Sequence, residues 1–213
     1  MRRMRKWLLL LAGVSIFTAY SIRDASADSR FESEISRLST LLELKPAMAV
    51  ADVGAGKGQA TVIMARTVGP HGHVFSSEID TKRLDDIRQA VRKVQLQNVT
   101  VVNAGEGDTG LPEDCCQAIF LRGVYHHITQ PADINKSLFR ALRPGGLLAL
   151  IDFPPTWWLR PWKPSGVPEN RGGHGIPQNI LIGEVTSAGF ELVKSIDRWS
   201  GRSYCALFRK KAN

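Results

Sequence analysis

The chain has 213 residues, of which 43% are hydrophobic and 23% are charged, a composition typical of one globular domain. The formal net charge is +8, but residues 1–27 hold five basic and one acidic side chains, so the rest carries only +4. Beyond that segment, Lys and Arg cluster only at Arg209-Lys210-Lys211, which we interpret as a solvated terminus, and this argues against nucleic-acid binding. Three cysteines make neither a disulfide framework nor a metal-ligand set, so we expect no metal.

The first 27 residues have the pattern of an export signal. Four basic side chains lie within residues 2–6, an apolar stretch runs from Trp7 to Ile22, and Ala25 and Ala27 form an A-x-A site. This order predicts a signal peptide that is cleaved after Ala27. An uncleaved membrane anchor is the alternative, because the apolar stretch is only slightly shorter than the ~20 residues that span a bilayer. In either case we expect residues 28–213 to form one exported domain, periplasmic or anchored to the inner membrane.

A strand, a glycine-rich turn and a helix come next, after a predicted helix from Phe31 to Leu42. The apolar run Ala47–Ala51 predicts a buried strand, and Asp52-Val53-Gly54-Ala55-Gly56-Lys57-Gly58 predicts a turn whose backbone approaches a ligand. A dinucleotide site would place its third glycine at Gln59, so a nicotinamide-dependent reductase is disfavoured. The acid Asp52 beside the turn favours a cationic or amine-bearing ligand instead.

Acidic residues follow at the carboxyl ends of the next two predicted strands. The second strand, His73–Glu78, ends on an acid that is placed to accept hydrogen bonds from both ribose hydroxyls of a nucleoside. The third strand, Val99–Ala104, leads into a loop that holds Glu106 and Asp108, and either acid can accept the exocyclic amine of an adenine. A solvated turn is the alternative for this loop, because Asp and Gly are common turn residues.

Tyr125-His126-His127 follows the fourth predicted strand, Gln117–Leu121. Ligands of parallel sheets bind outside the carboxyl ends of the strands, so these side chains should face the ligand. A helix from Pro131 to Leu142 leads to Arg143-Pro144-Gly145-Gly146, which predicts a type II-like turn before a fifth strand. The last predicted elements are the strand Leu147–Asp152, the helix Pro177–Ala188 and the strands Phe190–Ile196 and Ser203–Arg209.

In their order and type, these motifs resemble those of class I S-adenosylmethionine-dependent methyltransferases, specifically small bacterial ones with an export signal and a Tyr-His-His stretch. The resemblance implies an α/β, Rossmann-like, doubly wound sheet of seven strands in the order 3-2-1-4-5-7-6, mostly parallel, with the last strand antiparallel. It implies S-adenosylmethionine as cofactor and a small-molecule or lipid-like acceptor, with isoaspartate in proteins as the alternative acceptor. The cofactor-binding residues that it implies are Asp52, Gly54, Gly56, Gly58, Glu78, Glu106 and Asp108.

Histidines are the candidate catalytic groups. Methyl transfer needs a base only when the acceptor must lose a proton, and His126, His127 and His174 can serve near neutral pH. Tyr125 is the candidate that orients them. The alternative is that the paired histidines satisfy backbone groups or cap the next helix.

Residues 153–176 are rich in Pro, Gly and Trp, and we interpret them as a substrate lid. Trp157, Trp158 and Trp162 argue against disorder, and an aromatic plug or a membrane-interface contact is the alternative. A different class of function stays open as well. Because S-adenosylmethionine is made in the cytoplasm, an exported chain of this fold can also be a catalytically silent ligand-binding protein of the cell envelope.

Overall fold

The computed structural model describes residues 27–156 and 164–212. The predicted leader lies outside this part except for Ala27, and so do Trp157, Trp158 and Trp162 of the predicted lid. Export, anchoring and a role for those tryptophans therefore stay predictions. In the two described stretches, no helix has both the length and the hydropathy that crossing a bilayer requires.

Residues 27–41 are helical and are called α1, so the predicted helix from Phe31 lies within a helix that includes the first described residue. The chain divides into two compact units, residues 1–37 and residues 38–213. The described part of the first unit is helical throughout. The second unit holds the elements that position the site.

The described residues of the second unit include seven strands: β1 (Ala49–Val53), β2 (His73–Glu78), β3 (Val99–Asn103), β4 (Cys116–Arg122), β5 (Leu142–Asp152), β6 (Phe190–Ser200) and β7 (Ser203–Lys210). They form one sheet in the order β3-β2-β1-β4-β5-β7-β6. β7 pairs antiparallel with β5 and β6, and the other pairs are parallel. The predicted strand order and the antiparallel last strand are confirmed.

Four further helices connect the strands: α2 (Gln59–Val68), α3 (Thr81–Lys93), α4 (Pro131–Ala141) and α5 (Gln178–Ser187). Asp80 caps α3, because its carboxylate accepts hydrogen bonds from the backbone N–H groups of Lys82 and Arg83. α4 begins at Pro131, whose missing N–H would have no partner in the first turn. These local signals explain why the predicted helices are present.

β5 starts at Leu142, earlier than predicted, because the Pro-Gly-Gly turn lies within the strand. Leu142 pairs with Cys116 and Leu147 pairs with Ala118, so β5 bulges between these two pairs. Gly145 has a φ of +78°, the value that a type II turn requires at its third position. The predicted turn is therefore present, but it interrupts a strand that pairs on both sides of it.

The sheet brings three buried acids to one edge. The middle strands have apolar interiors, as at Phe120 and Leu150, so acids occur only where a strand ends. Asp52 lies at the carboxyl end of β1, Glu78 ends β2 and Asp152 ends β5. Because these strands are parallel, the three acids lie along the same edge, where ligands of such sheets bind.

Candidate functional site

A cavity of about 260 Å³ opens at the carboxyl ends of β1, β2 and β4. Much of its wall is apolar and includes Ile79, Val124 and Ile128. Its polar side chains include Glu78, Glu106, Thr109 and His127. Apolar walls with a few placed polar groups are typical of sites for small organic ligands.

Gly54 gives the turn after β1 its shape. Its φ is +73°, and a Cβ at this position would lie 2.5 Å from Cγ2 of Val124. The N–H groups of Gly54 and Ala55 both donate to the carbonyl of Ser77, at 2.8 and 3.1 Å. The turn is therefore held between the end of β2 and Val124, with no room for a side chain at Gly54.

Gly56 and Gly58 have other tasks in the same turn. Gly58 has a φ of +77° and stands at the N-cap of α2, where a Cβ would lie 3.3 Å from Ile87. Gly56 has a φ of +59°, and a Cβ there would meet no atom of the described residues within 4 Å. Of the three glycines, Gly54 lines the cavity, whereas Gly56 and Gly58 do not.

Glu78 fastens this turn to the end of β2. Its Oε2 accepts the N–H of Gly56 at 2.8 Å, and its Oε1 accepts the N–H groups of Ile79 and Asp80 at 2.9 and 3.2 Å. A carboxylate has about four acceptor positions, so about one is left for a ligand in the cavity that Glu78 lines. Glu78 can thus accept about one hydrogen bond from a ribose hydroxyl, whereas the sequence predicted two.

Asp52 lies behind the turn rather than in the cavity wall. Its side chain is 3% exposed, and its Oδ2 accepts the hydroxyl of Thr61 at 2.7 Å. Burial raises the pKa of this carboxyl to about 7, and the nearby Glu78 carboxylate adds to the rise. Direct contact of Asp52 with a cationic ligand stays a prediction, and the structure supports instead a role beneath the turn.

The two loop acids after β3 separate into different environments. Glu106 lines the cavity. Asp108 instead closes its own loop, because it accepts the N–H of Gly110 at 2.6 Å and the Arg140 guanidinium at 3.1 Å. The pKa of Asp108 is lowered, mainly by the hydrogen bond from Gly110 and further by Arg140. Of the two candidates for the adenine amine, the geometry therefore favours Glu106.

A short 3-10 turn, Tyr125–His127, follows β4 and presents two histidines. His126 is 2% exposed, and its Nδ1 lies 2.8 Å from Oδ1 of Asp152. His127 is more exposed and lines the cavity. Its partial burial lowers the pKa of His127 to about 4, and His126 adds to this effect, so the ring is neutral at physiological pH.

Tyr125 belongs to a different network from the histidines. Its hydroxyl donates to Glu184 at 3.0 Å and accepts from Asn135 at 2.7 Å. The Arg171 guanidinium lies over its ring and also bonds Glu184. The hypothesis that Tyr125 orients the histidines is therefore not supported. Asp152 orients His126 instead, because its carboxylate bonds the His126 ring.

His174 joins the histidines from the segment before α5. Its ring centroid lies 4.9 Å from that of His126 and 5.9 Å from that of His127. A backbone hydrogen bond from Thr156 to the carbonyl of His174 ties the two ends of the predicted lid together. The structure thus brings His174 to the adjacent pair His126 and His127, although it lies far from them in the sequence, and it leaves Tyr125 out.

Sequence reasoning missed two contacts within the site. Val124 forms the wall opposite Gly54, and Asp152 aligns His126. The signal for Asp152 is its position as an acid that ends a buried strand next to β4. Nothing comparable marks Val124, since its contact with the glycine turn depends on how two loops meet.

Comparison with known proteins supports the architecture. Residues 51–150 match the methyltransferase domain family. The structure of a SAM dependent methyltransferase from Aquifex aeolicus is similar, with a TM-score of 0.69 and 21% identity over 83% of this chain and 89% of that one. The family match covers 100 of the 213 residues, so it assigns that region, and not the whole chain, to the methyltransferase domain family. At 21% identity, the similarity to the Aquifex structure concerns the fold alone.

Curated relatives match about half of the chain. The ubiquinone/menaquinone biosynthesis C-methyltransferase UbiE from Vibrio campbellii is 31% identical over 110 residues, which are 51% of this chain and 42% of that protein. Protein-L-isoaspartate O-methyltransferase from Methanothrix thermoacetophila is 31% identical over 119 residues, which are 54% of this chain and 52% of that protein. The matched region thus spans about half the length of these relatives or less.

Proposed function

We propose that the chain transfers a methyl group from S-adenosylmethionine to a small or lipid-like acceptor. The observation that carries this proposal is the Glu78 carboxylate, which bonds Gly56 and still lines the cavity. This single side chain both shapes the glycine turn and offers a negative charge to a ligand. The methyltransferase domain match over residues 51–150 includes the turn and the acid.

The described residues fit an S-adenosyl ligand. The remaining acceptor position of Glu78 suits a ribose hydroxyl, and Glu106 in the cavity wall suits the amine of an adenine. Ile79, half-exposed, and Ile128 offer apolar surface for the adenine ring. The space beyond Gly56 would let a ligand approach the backbone.

The protein's part in the reaction is mainly one of positioning. When bound, the sulfonium of the donor supplies the methyl group and the driving force. The chain contributes a turn that is already held by Ser77 and Glu78, so little ordering is left for the moment of binding. His127 is the histidine in the cavity wall and is neutral at physiological pH, so its ring has a lone pair available at the cavity.

The acceptor class follows from the wall of the cavity and from the relatives. Apolar side chains next to His127, such as Val124 and Ile128, suit an aromatic or prenylated acceptor better than a charged one. The name of the Vibrio relative, a quinone-pathway C-methyltransferase, points in the same direction. A quinone-like or lipid-like acceptor is therefore proposed ahead of isoaspartate, which the Methanothrix relative's name suggests.

Calorimetric titration of the full chain with S-adenosylmethionine tests the donor. We expect one donor per chain, no heat from NADH, and at least about 10-fold weaker binding by Glu78→Gln, because a charged acceptor in the cavity is lost. Glu113→Gln is the matched control, since Glu113 is exposed and does not line the cavity. A wild-type chain that binds no donor would favour the silent binding protein, and normal binding by Glu78→Gln would contradict the site.

Incubation with isotopically labelled donor tests the acceptor. The chain is mixed separately with a membrane lipid extract and with aged protein that contains isoaspartate, and methylated products are identified by mass spectrometry. We expect label in the lipid fraction. Label confined to the protein fraction would contradict a lipid-like acceptor and favour the isoaspartate alternative.

Export of the domain is the last part of the proposal and is supported by the pattern of residues 1–27. Sequencing the amino terminus of the protein isolated from its native cells tests it. A mature chain that begins at Asp28 is expected if the leader is cleaved after Ala27. An intact leader on protein found only in the cytoplasmic fraction would contradict export.

A further inference from the structure

Three imidazoles converge at the edge of the cavity. One ring nitrogen from each of His126, His127 and His174 lies within 4.8 Å of the other two. The rings of His126 and His127 are close, with centroids 4.0 Å apart. Imidazole nitrogen is a preferred ligand of zinc, cobalt, nickel and other first-row divalent ions.

His126 carries a buried nitrogen that has no partner. Its Nδ1 lies 2.8 Å from a carboxylate oxygen of Asp152, which can only accept, so Nδ1 carries the proton. In the neutral ring, Nε2 then presents a lone pair. Within the described part of the chain this atom is buried and forms no hydrogen bond. Buried acceptors are almost always satisfied, so this lone pair calls for a ligand.

Asp152 holds the His126 ring in place. This carboxylate is 1% exposed and also accepts the backbone N–H groups of His126, at 3.1 Å, and Phe153, at 2.8 Å. Its position is thus fixed independently of the ring. A carboxylate that bonds the far nitrogen of a histidine is the usual support of a metal-ligating imidazole, because it sets the tautomer and raises the basicity of the ligand.

We propose that His126, His127 and His174 bind one divalent transition-metal ion such as zinc. Three protein ligands leave a coordination position open, as in catalytic rather than structural zinc sites. Because His127 also lines the cavity, an ion held by it stands at the cavity edge, where an acceptor would meet it. The site goes beyond donor binding and does not depend on it.

Binding requires a small contraction of the cluster. Tetrahedral zinc with Zn–N bonds of about 2.0–2.1 Å brings its ligand nitrogens to about 3.4 Å from one another. The separations here reach up to 4.8 Å. His126 is fixed by Asp152, so His127 and His174 are the side chains that would have to move, and both are less buried.

Titration of the metal-free full chain with Co²⁺, followed by visible absorption, tests the proposal. We expect one Co²⁺ per chain, with the absorption bands of a four- or five-coordinate nitrogen site, and displacement by one Zn²⁺. His174→Ala should bind Co²⁺ about 100-fold more weakly or not at all, and Asp152→Asn about 10- to 100-fold more weakly. His71→Ala is the matched control, because His71 is exposed and outside the cluster, and it should bind like the wild type.

Two further measurements keep the outcomes distinct. His174 does not line the cavity, so His174→Ala should bind S-adenosylmethionine like the wild type, which shows that the variant is folded. A wild-type chain that takes up no Co²⁺ or Zn²⁺, or a His174→Ala chain that takes up as much as the wild type, would overturn the metal site. Loss of methyl transfer in the histidine variants without any metal binding would assign the cluster to general-base catalysis instead and would also overturn it. Donor binding by the wild-type chain would remain intact in all of these cases.

Discussion

Two buried carboxylates at the same edge of the sheet act on different parts of the site. Glu78 bonds three backbone N–H groups, those of Gly56, Ile79 and Asp80, and so fixes the shape of a turn. Asp152 bonds a side chain, the ring of His126, and so fixes an orientation. The backbone groups that Glu78 holds are satisfied, whereas one nitrogen of the His126 ring finds no partner among the residues that the structure describes. We interpret the glycine turn as part of a donor site that is formed before the donor binds. We interpret the histidine cluster as a metal site that only a bound ion completes.

Gly54→Val should have the largest effect, because it should disrupt the turn of the donor site. A side chain at a φ of +73° that also collides with Val124 should lower the free energy of unfolding by about 4 kcal/mol and abolish donor binding. Gly56→Val is the matched variant, because its Cβ would meet no described atom within 4 Å. Its side chain would fill the open space through which a ligand can approach the backbone, so donor binding should be lost too, but at a stability cost of only about 1–2 kcal/mol. Urea unfolding and calorimetry measure both effects, and equal stability losses would contradict the contact with Val124.

Asp52→Asn should reveal the buried acid beneath the turn through its pH dependence. The pKa of Asp52 is about 7 in the folded chain and about 4 in the unfolded chain. The protonated carboxyl therefore stabilises the fold fully below about pH 4, and this stabilisation is lost as the pH rises to about 7. Stability of the wild type should therefore fall by about 3 kcal/mol, relative to the variant, between pH 4 and pH 8. Urea unfolding across this range measures it, and parallel pH profiles of the two proteins would contradict the raised pKa.

Asp152→Asn should break the histidine side. An amide cannot accept from the His126 ring and from the backbone N–H groups of His126 and Phe153 as a carboxylate does. We expect a loss of about 2 kcal/mol in the free energy of unfolding. Asp85→Asn, at an exposed position on α3, is the control and should change stability by less than about 0.5 kcal/mol. Equal stability of Asp152→Asn and the wild type would contradict the role of this acid.

The two sides also differ in how far the sequence predicts them. The glycine turn and the acid at the end of β2 follow from local patterns, because glycine spacing and strand ends are sequential features, whereas the strand order is implied by the family resemblance. The sequence does not show that Arg140 engages Asp108 or that Asp152 engages His126, since each pair joins residues more than 25 positions apart. The partners of the predicted site residues therefore depend on tertiary packing, which a local pattern does not contain.

Tyr125→Phe tests whether Tyr125 lies outside the histidine cluster. Of these variants, the control aside, it should have the smallest effect on stability. The variant loses the hydroxyl that bonds Glu184 and Asn135, which should cost about 1 kcal/mol of stability. Donor binding and metal uptake should not change, because this hydroxyl contacts neither the cavity nor the His126 ring. A large loss of methyl transfer with normal folding would restore Tyr125 as a catalytic candidate.

A crystal structure of the chain with S-adenosylhomocysteine tests the central claim most directly. The ligand should lie in the cavity between Gly54 and Glu106, with a ribose hydroxyl on the Glu78 carboxylate and without movement of the turn that Glu78 holds. A ligand bound elsewhere, or a cavity that stays closed to it at saturating concentration, would contradict the account.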